Sequence, residues 1–265
     1  MNALVCALTL TLLGSAPTNM TREGQLLFEA APERLDARVG EWVTYQMDPG
    51  GGGNQGFMRM AVVGEEKDAQ GRDSVWVEIE FGDHAAMKAP LAQMLMLVAR
   101  EKGLRKEGVS RLFLTQGFET LQEVDTKAMP FFLGEPEKDK DASRPTPLPA
   151  TGQLPAGKNS TVKRGKPSRL MTLAGTVTAE PMEVTYRNLV LKRYWISRDV
   201  PLLRLAKIEF PSIKYSMEAR DFGVDAKPRI VLPAPNAKKI TMEPVSNLPA
   251  WMQPLADSDK QEDRP

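Results

Sequence analysis

Residues Leu189 to Gly223 read LVLKRYWISRDVPLLRLAKIEFPSIKYSMEARDFG: two strand-like runs, a Val-Pro corner, then a third run closed by Phe222 and Gly223. Successive side chains alternate across a pleated backbone. Leu189, Leu191 and Trp195 therefore share one face of the first run, and Val190, Lys192, Tyr194 and Ile196 share the other. Ser197, Arg198 and Asp199 break it, and Pro201 biases Val200 toward an extended conformation, which suits a strand-to-corner transition better than a helix. From Ile213 the alternation is cleaner, with Ile213, Tyr215, Met217 and Ala219 set against Lys214, Ser216, Glu218 and Arg220. One apolar face and one wet face at period 2 predict a half-buried antiparallel strand.

The same period recurs upstream. Val75, Val77, Ile79 and Phe81 share one face of a run whose other face carries Trp76, Glu78 and Glu80. The two glutamates are expected on a polar outer face, with no partner constellation that would make them an acid and base pair. A further strand opens at Gly40 to Met47 and is followed by Asp48, Pro49 and the glycines Gly50 to Gly53. A phosphate loop would require a helix and a Lys-Ser or Lys-Thr pair after the last glycine. Asn54 and Gln55 stand there instead, ahead of another strand-like run from Phe57 to Val63, so the glycines predict a hairpin. Leu91 to Lys102 has helix-favouring composition, yet the short apolar run Met94 to Val98 and the strand that follows it favour a buried strand. His84, the one histidine, is expected on the surface of a turn.

Composition sets the outer limits. With 42% hydrophobic residues in 265, the chain can build a substantial core. Lys plus Arg at 35 against Asp plus Glu at 34 gives no basic field of the kind that draws nucleic acid, so no nucleic-acid partner is expected. The apolar run Ala3 to Leu13, followed by Gly14, Ser15 and Ala16, has the layout of a secretory leader over residues 1–16, although no Lys or Arg precedes it; a buried N-terminal strand or helix is the alternative. The run is too short to span a bilayer, and no transmembrane span is expected in the mature chain. Cys6 lies within that leader, so neither disulfides nor a thiolate metal site are expected after its removal. Thr18 to Ala37 has the pattern of a weak amphipathic helix broken near Pro32. Residues 17–232 are expected to form one β domain. Within it the Pro-, Lys- and Asp-rich stretch 134–167 should be a long mobile loop, and 233–265 should be a largely disordered tail, with Ala250-Trp251-Met252 as its one apolar cluster.

Several of these runs, taken in order, carry a resemblance. Val39 to Tyr45 (VGEWVTY), Met58 to Gly64 (MRMAVVG), Val75 to Glu80 (VWVEIE), Tyr194 to Ser197 with Val200-Pro201, Lys207 to Glu209, and Asp221 to Gly223 together resemble bacterial envelope proteins with a LolA-like fold. The resemblance implies a mainly β chain with a few short helices: a curved antiparallel sheet forming an incompletely closed barrel. It also implies that the concave apolar face receives the acyl chains of lipids or lipoproteins in the periplasm. Alternation then nominates Trp42, Met60, Trp76, Met96, Trp195, Tyr215 and Met217 as apolar lining. The 14 methionines fit a cavity for variable tails or ordinary core filling. No catalytic residues, metal or cofactor are expected. The alternative to a lipid binder is a structural or interaction subunit of an envelope assembly that meets a protein partner through the 134–167 loop or the tail; the alternative to an open barrel is a packed sandwich.

Overall fold

The structure is a computed structural model, and it describes residues 34–50, 53–104, 106–116, 121–124, 160–186 and 189–231. Among these residues there are twelve strands: β1 (Trp42–Asp48), β2 (Gly56–Lys67), β3 (Asp73–Gly82), β4 (Ala92–Ala99), β5 (Val109–Gln116), β6 (Gln122–Val124), β7 (Ser160–Arg164), β8 (Ser168–Thr172), β9 (Gly175–Tyr186), β10 (Leu189–Ile196), β11 (Leu205–Phe210) and β12 (Tyr215–Gly223). Their order in the sheet is β6-β5-β4-β3-β2-β1-β12-β11-β10-β9-β7, and β8 pairs with β9 beside this path. All of the pairings are antiparallel. The sheet is curved and does not close, because β6 and β7 stand at opposite ends of the path. Its curl shows where the turn after β8 reaches β12 past two intervening strands: Ala174 N donates to Ala219 O at 3.1 Å, and Leu173 N donates to Glu218 Oε1 at 2.9 Å.

The apolar faces expected for β3 and β12 turn inward, whereas Trp42 and Trp76 take the opposite side of the sheet. Val43, Tyr45 and Met47 of β1, Met58, Met60 and Val62 of β2, and Val75, Val77 and Ile79 of β3 join one buried cluster. Ile208 of β11 and Tyr215, Met217 and Ala219 of β12 complete it from the other half of the path. Two segments without regular structure cover this face, one holding Leu35 and Ala37 and the other Val200, Leu202 and Leu203, and Arg204 Nη2 meets Asp36 Oδ2 between them at 3.1 Å. A second, smaller cluster lies on the opposite side of the sheet, where Trp76, Leu95, Leu97 and Phe113 pack with Ile230. That explains β4. Met94, Met96 and Val98 serve the first cluster and Leu95 and Leu97 the second, so a run buried on both faces is continuously apolar and tertiary packing overrides its helix propensity.

Three expectations change. The stretch 134–167 is not all loop, because Ser160–Arg164 pairs with β9 from Ser160↔Tyr186 to Arg164↔Met182. The β-branched pair Thr161 and Val162 suits an exposed edge strand, which needs no apolar face to be held. The last strand begins at Tyr215 and not at Ile213, since Pro211–Ile213 forms a 3-10 turn closed by Lys214 at φ 55°. Glu78 and Glu80 are not on a wet face; they are 0% and 2% exposed. The leader, the bulk of the segment assigned to an amphipathic helix, residues 134–159 and the tail from 233 lie outside the described residues, while 34–37 are not helical.

Candidate functional site

Glu78 and Glu80 are buried because the chain returns. After β12, residues 224–231 cross the outer face of β1, β2 and β3. Ala226 N donates to Gly40 O at 2.8 Å, Trp42 Nε1 donates to Asp225 Oδ1 at 2.8 Å, and the backbone N–H groups of Arg229 and Ile230 both donate to Glu78 Oε1, at 2.9 and 2.8 Å. Two consecutive backbone N–H donors converge on one carboxyl oxygen and would be left unpaired without it, so Glu78 is the clasp of this arm. Its Oε2 is buried with no hydrogen-bond partner among the described residues. Burial is the main cause that pushes the Glu78 carboxyl above the ordinary carboxylate range; the Ile230 and Arg229 N–H groups pull the other way, Glu80 adds to the rise, and Arg59 opposes it.

A carboxyl with a raised pKa in the folded protein holds its proton more tightly there than in the unfolded chain. Its contribution to stability is full below the unfolded pKa and is lost as pH rises through the folded one. Glu78→Gln keeps the Oε1 acceptor and removes the charge. The expected outcome is a flatter pH dependence of unfolding free energy from the ordinary carboxylate range upward, with no loss at neutral pH. Urea titrations at several pH values check it; an unchanged slope would show that Glu78 does not set it.

Glu80 sits beneath a charged cleft. Its Oε2 accepts from Arg59 Nη1 at 3.3 Å and from Arg229 Nη1 at 2.8 Å, while Oε1 accepts from Gln93 Nε2 at 3.2 Å. One carboxylate thus lies between two guanidinium groups. The cleft above holds about 270 Å³ and is lined by Trp42 and Thr44 of β1, Arg59 of β2, Ala85 and Ala86 of the β3–β4 connection, Arg220 and Asp221 of β12, and Arg229 of the arm. Arg220 and Asp221 are consecutive, yet both line it. The β1–β12 register shifts between Thr44 and Tyr45, so that Thr44 faces Asp221 while Tyr45 faces Ala219; Arg220 is the extra residue of a bulge. Such a bulge re-aims side chains that strict alternation would send to opposite faces.

The nominated lining residues fall into separate places. Met60, Met96, Tyr215 and Met217 come together in the buried inner cluster. Trp195 packs against that cluster half-buried, with Lys207 Nζ 5.7 Å from its ring centre. Trp76 belongs to the outer cluster and donates from Nε1 to Glu66 Oε2 at 3.1 Å. Trp42 forms a wall of the charged cleft, with the Arg59 guanidinium 5.6 Å from its ring. Arg59, Arg220 and Arg229 were not singled out as site residues from the sequence. Arg59 and Arg220 sit on polar faces like any surface arginine, and Arg229 lies in a stretch without periodicity. Among the described residues no three His, Cys, Asp or Glu side chains gather where they could hold a metal ion, and no helix is long and apolar enough to cross a membrane.

The class that this geometry defines is an open, curved antiparallel sheet with a covered apolar inner face. No family model and no curated protein matches the chain. Among solved structures it is similar to a Pseudomonas aeruginosa MucA/MucB complex, at 14% identity over 79% of this chain with a TM-score of 0.38, and the chain spans 58% of that matched chain's length. It is also similar to a protein with a YmcC-like fold from Bacteroides fragilis, at 12% identity over 73% of this chain and 99% of that one, TM-score 0.32. A third is an outer membrane lipoprotein-sorting protein domain from Vibrio parahaemolyticus, at 10% identity over 80% of this chain and 95% of that one, TM-score 0.31. At such identities and TM-scores none of these likenesses assigns a ligand or a residue role to this chain.

Proposed function

We propose that the chain is a non-catalytic periplasmic binding protein for an apolar ligand, a lipid or the acyl chain of an acylated protein. The observation that carries this reading is how the inner face is covered. The apolar wall built by both halves of the sheet lies under the irregular segments 34–37 and 200–204. Leu202 and Arg204 hold left-handed backbone at φ 60° and 53°, a conformation that costs L residues energy and is maintained by the surroundings. Lifting such a segment breaks few backbone hydrogen bonds and leaves the strand ladder intact. Met58, Met60, Met94, Met96 and Met217 beneath it are flexible and polarizable enough to repack around a tail.

Protein purified gently from its own envelope should carry lipid detectable by native mass spectrometry, and delipidated protein should take up a fluorescent fatty acid. Arg204→Ala, which removes the Asp36 contact joining the two covering segments, is expected to speed that uptake severalfold. Empty protein together with no uptake by either form would overturn the reading.

A second reading, an interaction subunit of an envelope assembly, is favoured by the end of the sheet at β7 to β9. Val162, Met171 and Leu173 are 51%, 81% and 52% exposed there. Met171 and Leu173, two residues apart at the β8–β9 hairpin, are the pair that a partner could cover. Met171→Ser with Leu173→Ser should then abolish a cross-link to a partner in intact envelopes; an unchanged cross-linking pattern would remove this reading.

A further inference from the structure

We propose that the cleft over Trp42 is a binding site for a phosphate ester group, whether it belongs to a small soluble molecule or to a phospholipid headgroup. Three guanidinium groups reach this cleft from three separate parts of the chain: Arg59 from β2, Arg220 from the β12 bulge and Arg229 from the arm. A guanidinium offers five N–H donors in a planar fork suited to the oxygens of a phosphate. Few of those donors are used. Among the described residues Arg59 gives one hydrogen bond to Glu80, Arg220 gives one to Gln46 Oε1 at 2.5 Å, and Arg229 gives one to Glu80 Oε2 at 2.8 Å and a long one to Ala86 O at 3.5 Å. The Arg59 side chain lines the cleft and is only 12% exposed, so its guanidinium is largely dehydrated. An anion seated there would meet, in Arg59, a donor that is already positioned and partly dehydrated, which strengthens that contact.

The charge balance points the same way. Glu80 is shared by Arg59 and Arg229 and cannot neutralise both, while Asp221 is the one acidic side chain among those lining the cleft. Its Oδ1 accepts from the backbone N–H of Phe222 at 2.9 Å. Trp42, Ala85 and Ala86 supply an apolar wall beside the cations, so the space fits an oxyanion with a short organic remainder better than a bare ion. Thr44 and Arg59 lie on the polar faces of β1 and β2, opposite the inner cluster that holds their neighbours Val43, Tyr45, Met58 and Met60. The cleft and the apolar wall can therefore succeed or fail independently.

Titration calorimetry with glycerol phosphate at low salt, on the full chain, should show saturable binding in the micromolar to millimolar range. Arg220 is exposed and contacts only Gln46 by hydrogen bonding among the described residues, so Arg220→Gln should leave the fold intact by circular dichroism and weaken binding about tenfold or more. Asp221→Asn removes a repelling charge and should tighten binding about threefold. Sedimentation with phosphatidylglycerol vesicles, against phosphatidylcholine vesicles as control, separates the sources. Vesicle binding lost in Arg220→Gln assigns the group to a lipid headgroup, and glycerol phosphate binding without vesicle binding assigns it to a soluble ester. No binding in either arm, or binding that both substitutions leave unchanged, would overturn the proposal.

Discussion

Phe113→Ala is expected to lower the free energy of unfolding by about 3–5 kcal/mol, the range for truncating a fully buried aromatic side chain. Phe113 is 1% exposed and anchors the outer cluster. Its ring lies 6.0 Å from that of Trp76, and the Arg111 guanidinium stands 4.8 Å over it. The cavity would open under Ile230, which packs in the same cluster and whose backbone N–H is held by Glu78. The loss should thus appear as a lower urea midpoint and also as faster amide exchange at Arg229 and Ile230. A change below about 1 kcal/mol, or exchange at the arm that does not respond, would mean that the outer cluster does not hold the arm in place.

Gly40→Ala should cost on the order of 3 kcal/mol, for two separable reasons. Gly40 has φ +95°, and a Cβ there would stand 2.4 Å from the backbone oxygen of Val224. The obstacle is main chain, which cannot rotate away like a side-chain tip. Gly40 also donates to Val62 O at 2.8 Å and accepts from Ala226 N at 2.8 Å, so any shift is passed to β2 and to the arm. Gly71→Ala provides the comparison, since Gly71 has φ +75° with nothing within 4 Å of a Cβ and should show backbone strain alone, about 1–2 kcal/mol. Denaturant titrations of both variants read the difference; equal losses would refute the close approach at Gly40.

The distinction between these two glycines was not legible in the chain. Each stands in a turn-forming stretch, and only the arm at Val224 and Asp225, arriving from about 180 residues away, separates them. The same holds for Glu78 and Glu80. Their place opposite Val77 and Ile79 was readable, but local alternation tells which face a residue takes and not what will cover that face. Leu95 and Leu97 could have given a warning, because an outer face that carries two leucines beside Trp76 has to be buried by something. Likewise the pairing of Ser160–Arg164 with β9 was hidden by its polar composition, since an edge strand is held by main-chain hydrogen bonds and leaves little trace in hydropathy.

By itself the sequence determined most of the strands and the inward faces of β3 and β12, because a period of 2 is a property of the extended backbone and survives in any arrangement of the sheet. It determined also the antiparallel class and the apolar character of the inner wall. Tertiary structure alone decided that a polar arm lies over Glu78 and that a bulge turns Arg220 and Asp221 to the same side. It alone brought Arg59 into one cleft with Arg220 and Arg229, which lie far along the chain from it. The physical reason is range: alternation is set by neighbouring residues, whereas a charged site depends on which distant segments the curvature of the sheet brings within hydrogen-bonding reach.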